Sequence, residues 1–99
     1  MAAIAIPQAE IDRFCRKWRI GELALFGSVV GEAFRPDSDV DVLVRFDPAA
    51  EWSLYDWVDM RTELERLFGR PVDLVAESGL RNPIRRRSIL RSKQVIYAA

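Results

Sequence analysis

The chain has 99 residues, 49% of them hydrophobic and 30% charged, and its 15 basic side chains balance its 15 acidic ones. This composition indicates one folded domain over residues 1–99 rather than a disordered chain, and the zero net charge gives no general attraction to nucleic acid or membrane. There is no histidine, and Cys15 is the single cysteine. These absences exclude histidine-based general bases and triads, most zinc sites and an internal disulfide framework. No apolar run approaches a membrane span and residues 1–7 lack a signal-peptide pattern, so we expect a cytoplasmic protein.

Apolar spacing and chain breakers predict helices and strands in alternation. A first helix follows Pro7, carries Ile11, Phe14, Cys15 and Trp18 at helical spacing, and ends before Gly21. Strands are predicted at 22–26, 39–46, 71–75 and 94–97, with a brief helical turn or loop after the first of them. This order favours an α/β fold, a small mixed β-sheet flanked by helices.

Two further helices are predicted between the later strands. One begins at Ser53 as its cap and ends before Gly69, and the other begins at Asn82-Pro83. The apolar stripe of the first of these two helices consists of Leu54, Trp57, Val58, Leu64, Leu67 and Phe68.

Two carboxylates stand on one face of the strand at 39–46. Asp39 and Asp41 alternate with Val40 and Val42, so both acids project to the same side with Cα atoms about 6.5 Å apart. Two anions at this separation repel each other unless a cation lies between them. Mg²⁺ is typically held by one or two carboxylates together with substrate phosphates and water, so the pair predicts half of a metal site. The competing interpretation is a capped turn at 37–39 with Asp41 merely on the surface.

A third carboxylate, Asp73, interrupts an otherwise apolar strand. If that strand lies beside the one that carries Asp41, the acids converge and can hold two metal ions, or leave one carboxylate as a base for an incoming hydroxyl. The alternative is a solvent-facing acid on an edge strand.

Gly27-Ser28 follows the first strand at the point where the chain turns. Glycine allows a close backbone approach and the serine hydroxyl can donate a hydrogen bond to a phosphate oxygen, although both are also ordinary turn residues.

Gly27-Ser28, ten intervening residues and Asp39-Val40-Asp41 resemble the GS-x10-DxD pattern of the polymerase-beta-type nucleotidyltransferases. The run LFGSVV…FRPDSDVDVLVRFDP, the later GRPVDLV and the closing ILRSKQVIYA are similar to the minimal nucleotidyltransferases of toxin–antitoxin operons. This resemblance covers the chain from about Leu23 onward. Neither a Walker A motif nor G-x-G-x-x-G is present, so other nucleotide-binding folds gain no support.

The resemblance implies a polymerase-beta-like fold that binds MgATP and transfers AMP. On the family pattern Asp39, Asp41 and Asp73 are the catalytic and metal-binding carboxylates for about two Mg²⁺ ions, and Gly27 and Ser28 contact the triphosphate. It further implies an antitoxin that forms a hetero-oligomer with a HEPN-domain ribonuclease toxin and modifies a tyrosine of that toxin, without direct nucleic-acid binding.

The sequence also departs from the family pattern at one place. Many relatives carry a basic residue shortly after Gly-Ser, where this chain has Val29-Val30-Gly31, so a phosphate contact is either missing or supplied by Arg35 or the C-terminal arginines.

Alternatives stay open for the function and for two groups of residues. The protein could neutralise a toxin by docking alone, or transfer the nucleotide to a small molecule or RNA. For the basic residues from Arg81 to Lys93, the favoured interpretation is a solvated helix face, and the alternative is a contact with triphosphate or an acidic partner. Trp52, Tyr55 and Trp57 could form an exposed docking patch, although core burial is favoured for Trp57.

Overall fold

The computed structural model describes residues 4–31, 35 and 37–99 of the chain. Its helices are α1 (Gln8–Lys17), α2 (Leu54–Phe68) and α3 (Pro83–Ser92), and its strands are β1 (Ile20–Phe26), β2 (Val40–Phe46), β3 (Val72–Ala76) and β4 (Gln94–Ala98). Short 3₁₀ turns at Gly27–Val30 and Glu77–Gly79 follow β1 and β3. Within these residues, no helix combines the length and the apolar character needed to cross a membrane.

The strands form one mixed sheet in the order β3-β2-β1-β4. β1 runs antiparallel to both β2 and β4, whereas β2 and β3 are parallel. Parallel neighbours require a long crossover, which α2 provides. The predicted fold class, a small mixed sheet flanked by helices, is therefore confirmed.

Alternation along β2 assigns its side chains to two different cores. Val40, Val42 and Val44 are buried in the main core, which they share with residues of α1 and α2 such as Phe14 and Leu64. Leu43 points to the other side and packs in a smaller core, whose other buried members are Ala24, Phe26, Leu80 and Ile89. Ile89 belongs to α3, so α1 and α2 cover one face of the sheet and α3 covers the other. Asp41 is two residues from Leu43 and therefore shares the face of α3.

The junction between α1 and β1 differs from the sequence prediction. The helix ends at Lys17 rather than before Gly21, because Arg19 adopts a left-handed φ of 54° and β1 begins at Ile20. Pairing with β2 explains the earlier strand start, since Ile20 is paired with Phe46 and the Arg19 carbonyl accepts from the Asp47 N–H at 2.9 Å. Gly21 has a different role, because a Cβ there would lie 3.0 Å from Arg45 Nη1.

Helix α2 has the ends that the sequence predicted. Ser53 accepts from the Asp56 N–H while the Asp56 carboxylate accepts from the Ser53 N–H, which completes a capping box. Gly69 ends the helix in the left-handed region at φ 68°.

The predicted apolar stripe of α2 is partly wrong. Leu54 is 77% exposed and Val58 is 42% exposed, whereas Met60, which was not predicted, is fully buried. The reason is helical spacing, because Trp57, Met60, Leu64 and Leu67 follow one another at three or four residues along the face that meets the main core, and Leu54 and Val58 lie to the side of that face.

The possible aromatic docking patch is not formed as a group, and the core burial that was favoured for Trp57 is confirmed. Trp52 and Trp57 are half-buried and pack against the main core, and Trp52 meets Trp18 edge-to-face at 5.2 Å. Only Tyr55, at 85% exposure, stands in solvent.

Candidate active site

The register of the parallel strand pair places two aspartates side by side. Asp41 on β2 is the partner of Asp73 on β3, and the Val40 N–H donates to the Pro71 carbonyl at 2.9 Å, just before the paired residues. Because paired residues of adjacent strands project to the same face, the two carboxylates are neighbours. The two strands are therefore adjacent, which is the condition on which the convergence of the carboxylates depended. Asp73 is also an exposed acid on an edge strand, so both interpretations of it hold together.

Asp39 lies just before β2 rather than inside it. The preceding turn is closed by the Ser38 hydroxyl, which accepts from the Arg35 N–H at 3.0 Å, and by the Arg35 carbonyl, which accepts from the Ser38 N–H at 3.0 Å. The alternative interpretation is therefore only partly right, because the turn that Ser38 closes begins at Arg35 rather than at Asp37, and Asp41 is half-buried rather than merely on the surface. Asp39 follows the turn as an exposed side chain at the start of the strand.

The half-buried Asp41 carboxyl is the electrostatic centre of the site. Burial raises its pKa above the ordinary 3.8, and the charges of Asp73 and then Asp39 raise it further. Arg85 on α3 acts in the opposite direction and lowers this pKa. The three carboxylates and one guanidinium are therefore within electrostatic reach of one another.

Gly27 packs directly against Asp41. Its φ of 71° is in the left-handed region, and a Cβ on this residue would overlap Oδ2 of Asp41. The strand pairing of Phe26 with Asp41 produces this approach, because Gly27 is the next residue along the chain. The half-buried Ser28 and the buried Val29 continue the 3₁₀ turn from this point. The structure thus brings the predicted Gly-Ser pair to the predicted acids.

The carboxylates fit a metal site that is shared with a bound ligand better than a site made by protein side chains alone. Within residues 4–31, 35 and 37–99, no group of at least three His, Cys, Asp or Glu side chains is placed to hold a metal ion as the side chains stand. A cage made by the protein alone is therefore not formed. An adjacent pair of aspartates whose charge is poorly compensated fits Mg²⁺ that is shared with phosphate oxygens and water. A metal ion here would depend on its phosphate ligand.

The basic residues near the C-terminus separate into groups with different surroundings. Arg86 donates to the Glu77 carbonyl at 3.2 Å, and Lys93 pairs with Glu22, so these two stabilise the fold. Arg87 and Arg91 line an outward depression of about 480 Å³ on α3. The solvated-face interpretation suits these last two, but it overlooked the influence of Arg85 on Asp41, which the sequence did not reveal.

The mixed sheet and the carboxylates beside a glycine turn define a class of small α/β domains with an acidic site at one end of the sheet. Residues 10–96 match the nucleotidyltransferase domain, and the chain belongs to this family. A nucleotide is accordingly the substrate class of this domain.

Relatives and solved structures agree with the family. The protein adenylyltransferase MntA of Thermococcus cleftensis is 37% identical over 81 residues, which cover 82% of this chain and 77% of that protein. A chain of a toxin–antitoxin structure with AMP-PNP has a TM-score of 0.74 at 17% identity and covers 95% of this chain and 75% of that chain.

A second solved structure is the tri-AMPylated Shewanella oneidensis HEPN toxin in complex with MNT antitoxin. A chain of this complex has a TM-score of 0.65 at 16% identity, with 93% of this chain and 70% of that chain covered. These two likenesses confirm the predicted polymerase-beta-like fold.

Proposed function

We propose that this protein is an antitoxin that transfers AMP from MgATP to a tyrosine of a partner HEPN ribonuclease toxin and so neutralises it. The support from relatives is the protein adenylyltransferase name of the Thermococcus protein, together with the MNT antitoxin seen with a tri-AMPylated HEPN toxin. The observation that carries the proposal is the pairing of Asp41 with Asp73 beside Gly27. The reaction takes place in the cytoplasm, where ATP is available.

Asp39, Asp41 and Asp73 are the residues that would hold Mg²⁺, expected as about two ions. When bound, the metal neutralises phosphate charge and makes the α-phosphorus more electrophilic. The raised pKa of Asp41 shows that its negative charge is poorly compensated, so a cation at this position relieves an existing cost.

Gly27 and Ser28 position the phosphates. Gly27 has no side chain between its backbone and Asp41, so a phosphate group can approach both, and the Ser28 hydroxyl donates to a phosphate oxygen. These contacts align the triphosphate, and alignment together with charge neutralisation supplies most of the rate in phosphoryl transfer.

Asp73 is the base for the acceptor. It is exposed at the edge of the sheet, where a tyrosine of a second protein can reach it. The tyrosine proton moves to the Asp73 carboxylate, the phenolic oxygen forms a bond to the α-phosphorus, and the bond from that phosphorus to the bridging oxygen breaks. Pyrophosphate leaves with the electron pair, and the toxin keeps AMP on its tyrosine.

Asp41→Asn tests the assignment. This substitution keeps the shape of the side chain and removes its charge, so we expect AMP transfer to fall by at least about 100-fold while the fold is kept. Asp12→Asn is the matched control, because Asp12 lies on α1 and an asparagine there can still accept from Gln8. Mass spectrometry of the co-expressed toxin counts the AMP units. Transfer by Asp41→Asn at the wild-type rate would show that the metal assignment is wrong.

A second candidate function is neutralisation by docking alone, and one observation favours it. Leu54, Tyr55 and Val58 are exposed apolar side chains at the start of α2, and the chain enters this helix after Phe46, the end of β2 opposite Asp41. A surface of this kind could bind a partner independently of the acids. Co-expression of the toxin with Asp39→Asn separates the two functions. Loss of protection together with loss of AMP supports the enzyme, whereas protection without AMP supports docking.

A further inference from the structure

The turn that follows β1 lacks a cationic side chain for the phosphates. Residues 27–31 read GSVVG, so this segment offers backbone groups and one hydroxyl to a highly charged polyphosphate. Neutralisation by metal ions at the carboxylates leaves the outer phosphate oxygens to other donors, and arginine is the side chain whose geometry matches them best. The missing cation must come from another element near Asp41.

Helix α3 is the element that faces the acids. Its Ile89 is buried with Phe26 and Leu43, the residues that flank Gly27 and Asp41 on this side of the sheet. The helix begins at Pro83 after the cap residue Asn82, whose side-chain oxygen accepts from the Ile84 N–H at 3.0 Å and the Arg85 N–H at 3.2 Å. The first turn of α3 is therefore fixed, and Arg85 projects from a defined position.

Arg85 differs from its neighbours on the helix. Arg86 is held by Glu77, while Arg87 and Arg91 line the outward depression. Arg85 is exposed, and no hydrogen bond or ion pair of its guanidinium is found among the described residues. It lies one helical turn before Ile89, and this spacing places both residues on the face of α3 that packs over Phe26 and Leu43, beside Gly27 and Asp41. An arginine close to the acids and without a direct partner can turn to a ligand at little cost.

We propose that Arg85 binds the polyphosphate chain of the nucleotide. This inference rests on the proposed function, and it replaces the phosphate contact that residues 29–31 do not supply. In the ligand-free protein, Arg85 partly offsets the repulsion among the carboxylates. With the nucleotide bound, its guanidinium would donate to phosphate oxygens, and its planar shape allows two parallel hydrogen bonds.

The test compares two single substitutions with the same change of charge. Arg85→Gln and Arg87→Gln each remove one exposed arginine from α3, but Arg87 lines the outward depression, whereas Arg85 lies one turn before Ile89 on the face that covers the site. Calorimetry in magnesium buffer measures the Kd for AMP-PNP and for inorganic tripolyphosphate, which has no base or ribose. We expect Arg85→Gln to weaken both ligands by about 10-fold or more, in keeping with the loss of a hydrogen bond between charged groups. Arg87→Gln should stay within about twofold of the wild type, as expected for a surface charge.

Each outcome has a definite meaning. Equal affinities of Arg85→Gln and Arg87→Gln for AMP-PNP overturn the inference while the proposed function stands. A loss that affects AMP-PNP but spares tripolyphosphate also overturns it, because the contact would then be to the nucleoside. If the wild type fails to bind AMP-PNP both with and without the toxin, the proposed function is wrong, and the inference is wrong with it. Arg85→Lys guards against a folding defect, since it keeps the charge and should recover part of the affinity for tripolyphosphate.

Discussion

Gly27 couples backbone conformation to the geometry of the acids. Both Gly27 and Gly69 have a positive φ, but a Cβ at Gly69 meets nothing within 4 Å, whereas at Gly27 it would overlap Asp41 Oδ2. Gly69→Ala should lower the free energy of unfolding by about 1 kcal/mol, because alanine is strained at positive φ, and Gly27→Ala should lower it by at least as much, because its Cβ also overlaps Asp41. Only Gly27→Ala should reduce AMP transfer, since the Asp41 carboxylate must move aside. Denaturant unfolding and AMP transfer to the toxin measure the two effects, and equal activity of both variants would contradict the contact.

Asp41 should make the ligand-free protein less stable at neutral pH than an uncharged residue would. Its pKa in the folded state lies above the ordinary 3.8, so the folded protein holds this proton to higher pH than the unfolded chain does. The stabilising contribution of the protonated carboxyl is complete below pH 3.8 and is lost as the pH rises through the folded-state pKa. In EDTA, Asp41→Asn should therefore unfold at a higher temperature than the wild type at neutral pH, with no such gain below pH 3.8.

The control for this pH dependence is Asp12→Asn on α1. Asp12 is not among the groups that act on Asp41, so its substitution should give no comparable gain in Tm at neutral pH. A wild type that is more stable than Asp41→Asn in neutral EDTA would show that the charge of Asp41 is compensated within the protein.

The site residues could be predicted to different degrees for a physical reason. The shared face of Asp39 and Asp41 could be predicted from the alternation of side chains along a strand. A period of two places both residues on one face, whatever the rest of the fold is. The position of Arg85 beside the acids could not be predicted, since it depends on how α3 crosses the sheet. A run of arginines in the sequence does not reveal which of them faces an acid.

At the scale of elements, predictions succeeded where local chemistry decides and failed where pairing decides. Ser53 and Gly69 mark the ends of α2 through a capping box and a left-handed residue, both of which are local. The end of α1 is set by the pairing of β1 with β2, which begins at Ile20 and forces the turn onto Arg19. A glycine two residues later was therefore a misleading stop signal.

Loss of the α2 cap should reduce stability without affecting chemistry. Ser53→Ala removes the oxygen that accepts from the Asp56 N–H at 3.1 Å, and such losses typically cost about 1 kcal/mol. The cap follows the end of β2 opposite Asp41, so AMP transfer at a temperature well below Tm should be unchanged. Urea unfolding gives the loss, and Ser53→Asp, which restores an acceptor, should recover most of it. Reduced transfer by folded Ser53→Ala would show that α2 is coupled to the acids.

The order of strands in the whole sheet determines which carboxylates become neighbours. The order β3-β2-β1-β4 brings together Asp41 and Asp73, which are 32 positions apart (73 minus 41) and separated by the whole of α2. The sequence predicted the consequence of adjacent strands but not the adjacency, because several sheet orders satisfy the same alternation of helices and strands. The same order leaves β3 at the edge, where Asp73 is accessible to a second protein.

Magnesium and nucleotide should stabilise the molecule together and not separately. No group of three or more potential ligands is preassembled in the described part of the chain, so the protein alone offers Mg²⁺ too few donors until a polyphosphate adds its oxygens. At a concentration about 100 times its Kd, MgAMP-PNP should add about 2.7 kcal/mol and raise Tm by about 10 °C, and EDTA should abolish the shift. Thermal unfolding measures this, with Asp41→Asn as the control that should show little shift. If Mg²⁺ alone raises Tm as much as MgAMP-PNP does, the carboxylates form a cage without the nucleotide, and the dependence of the metal on phosphate is refuted.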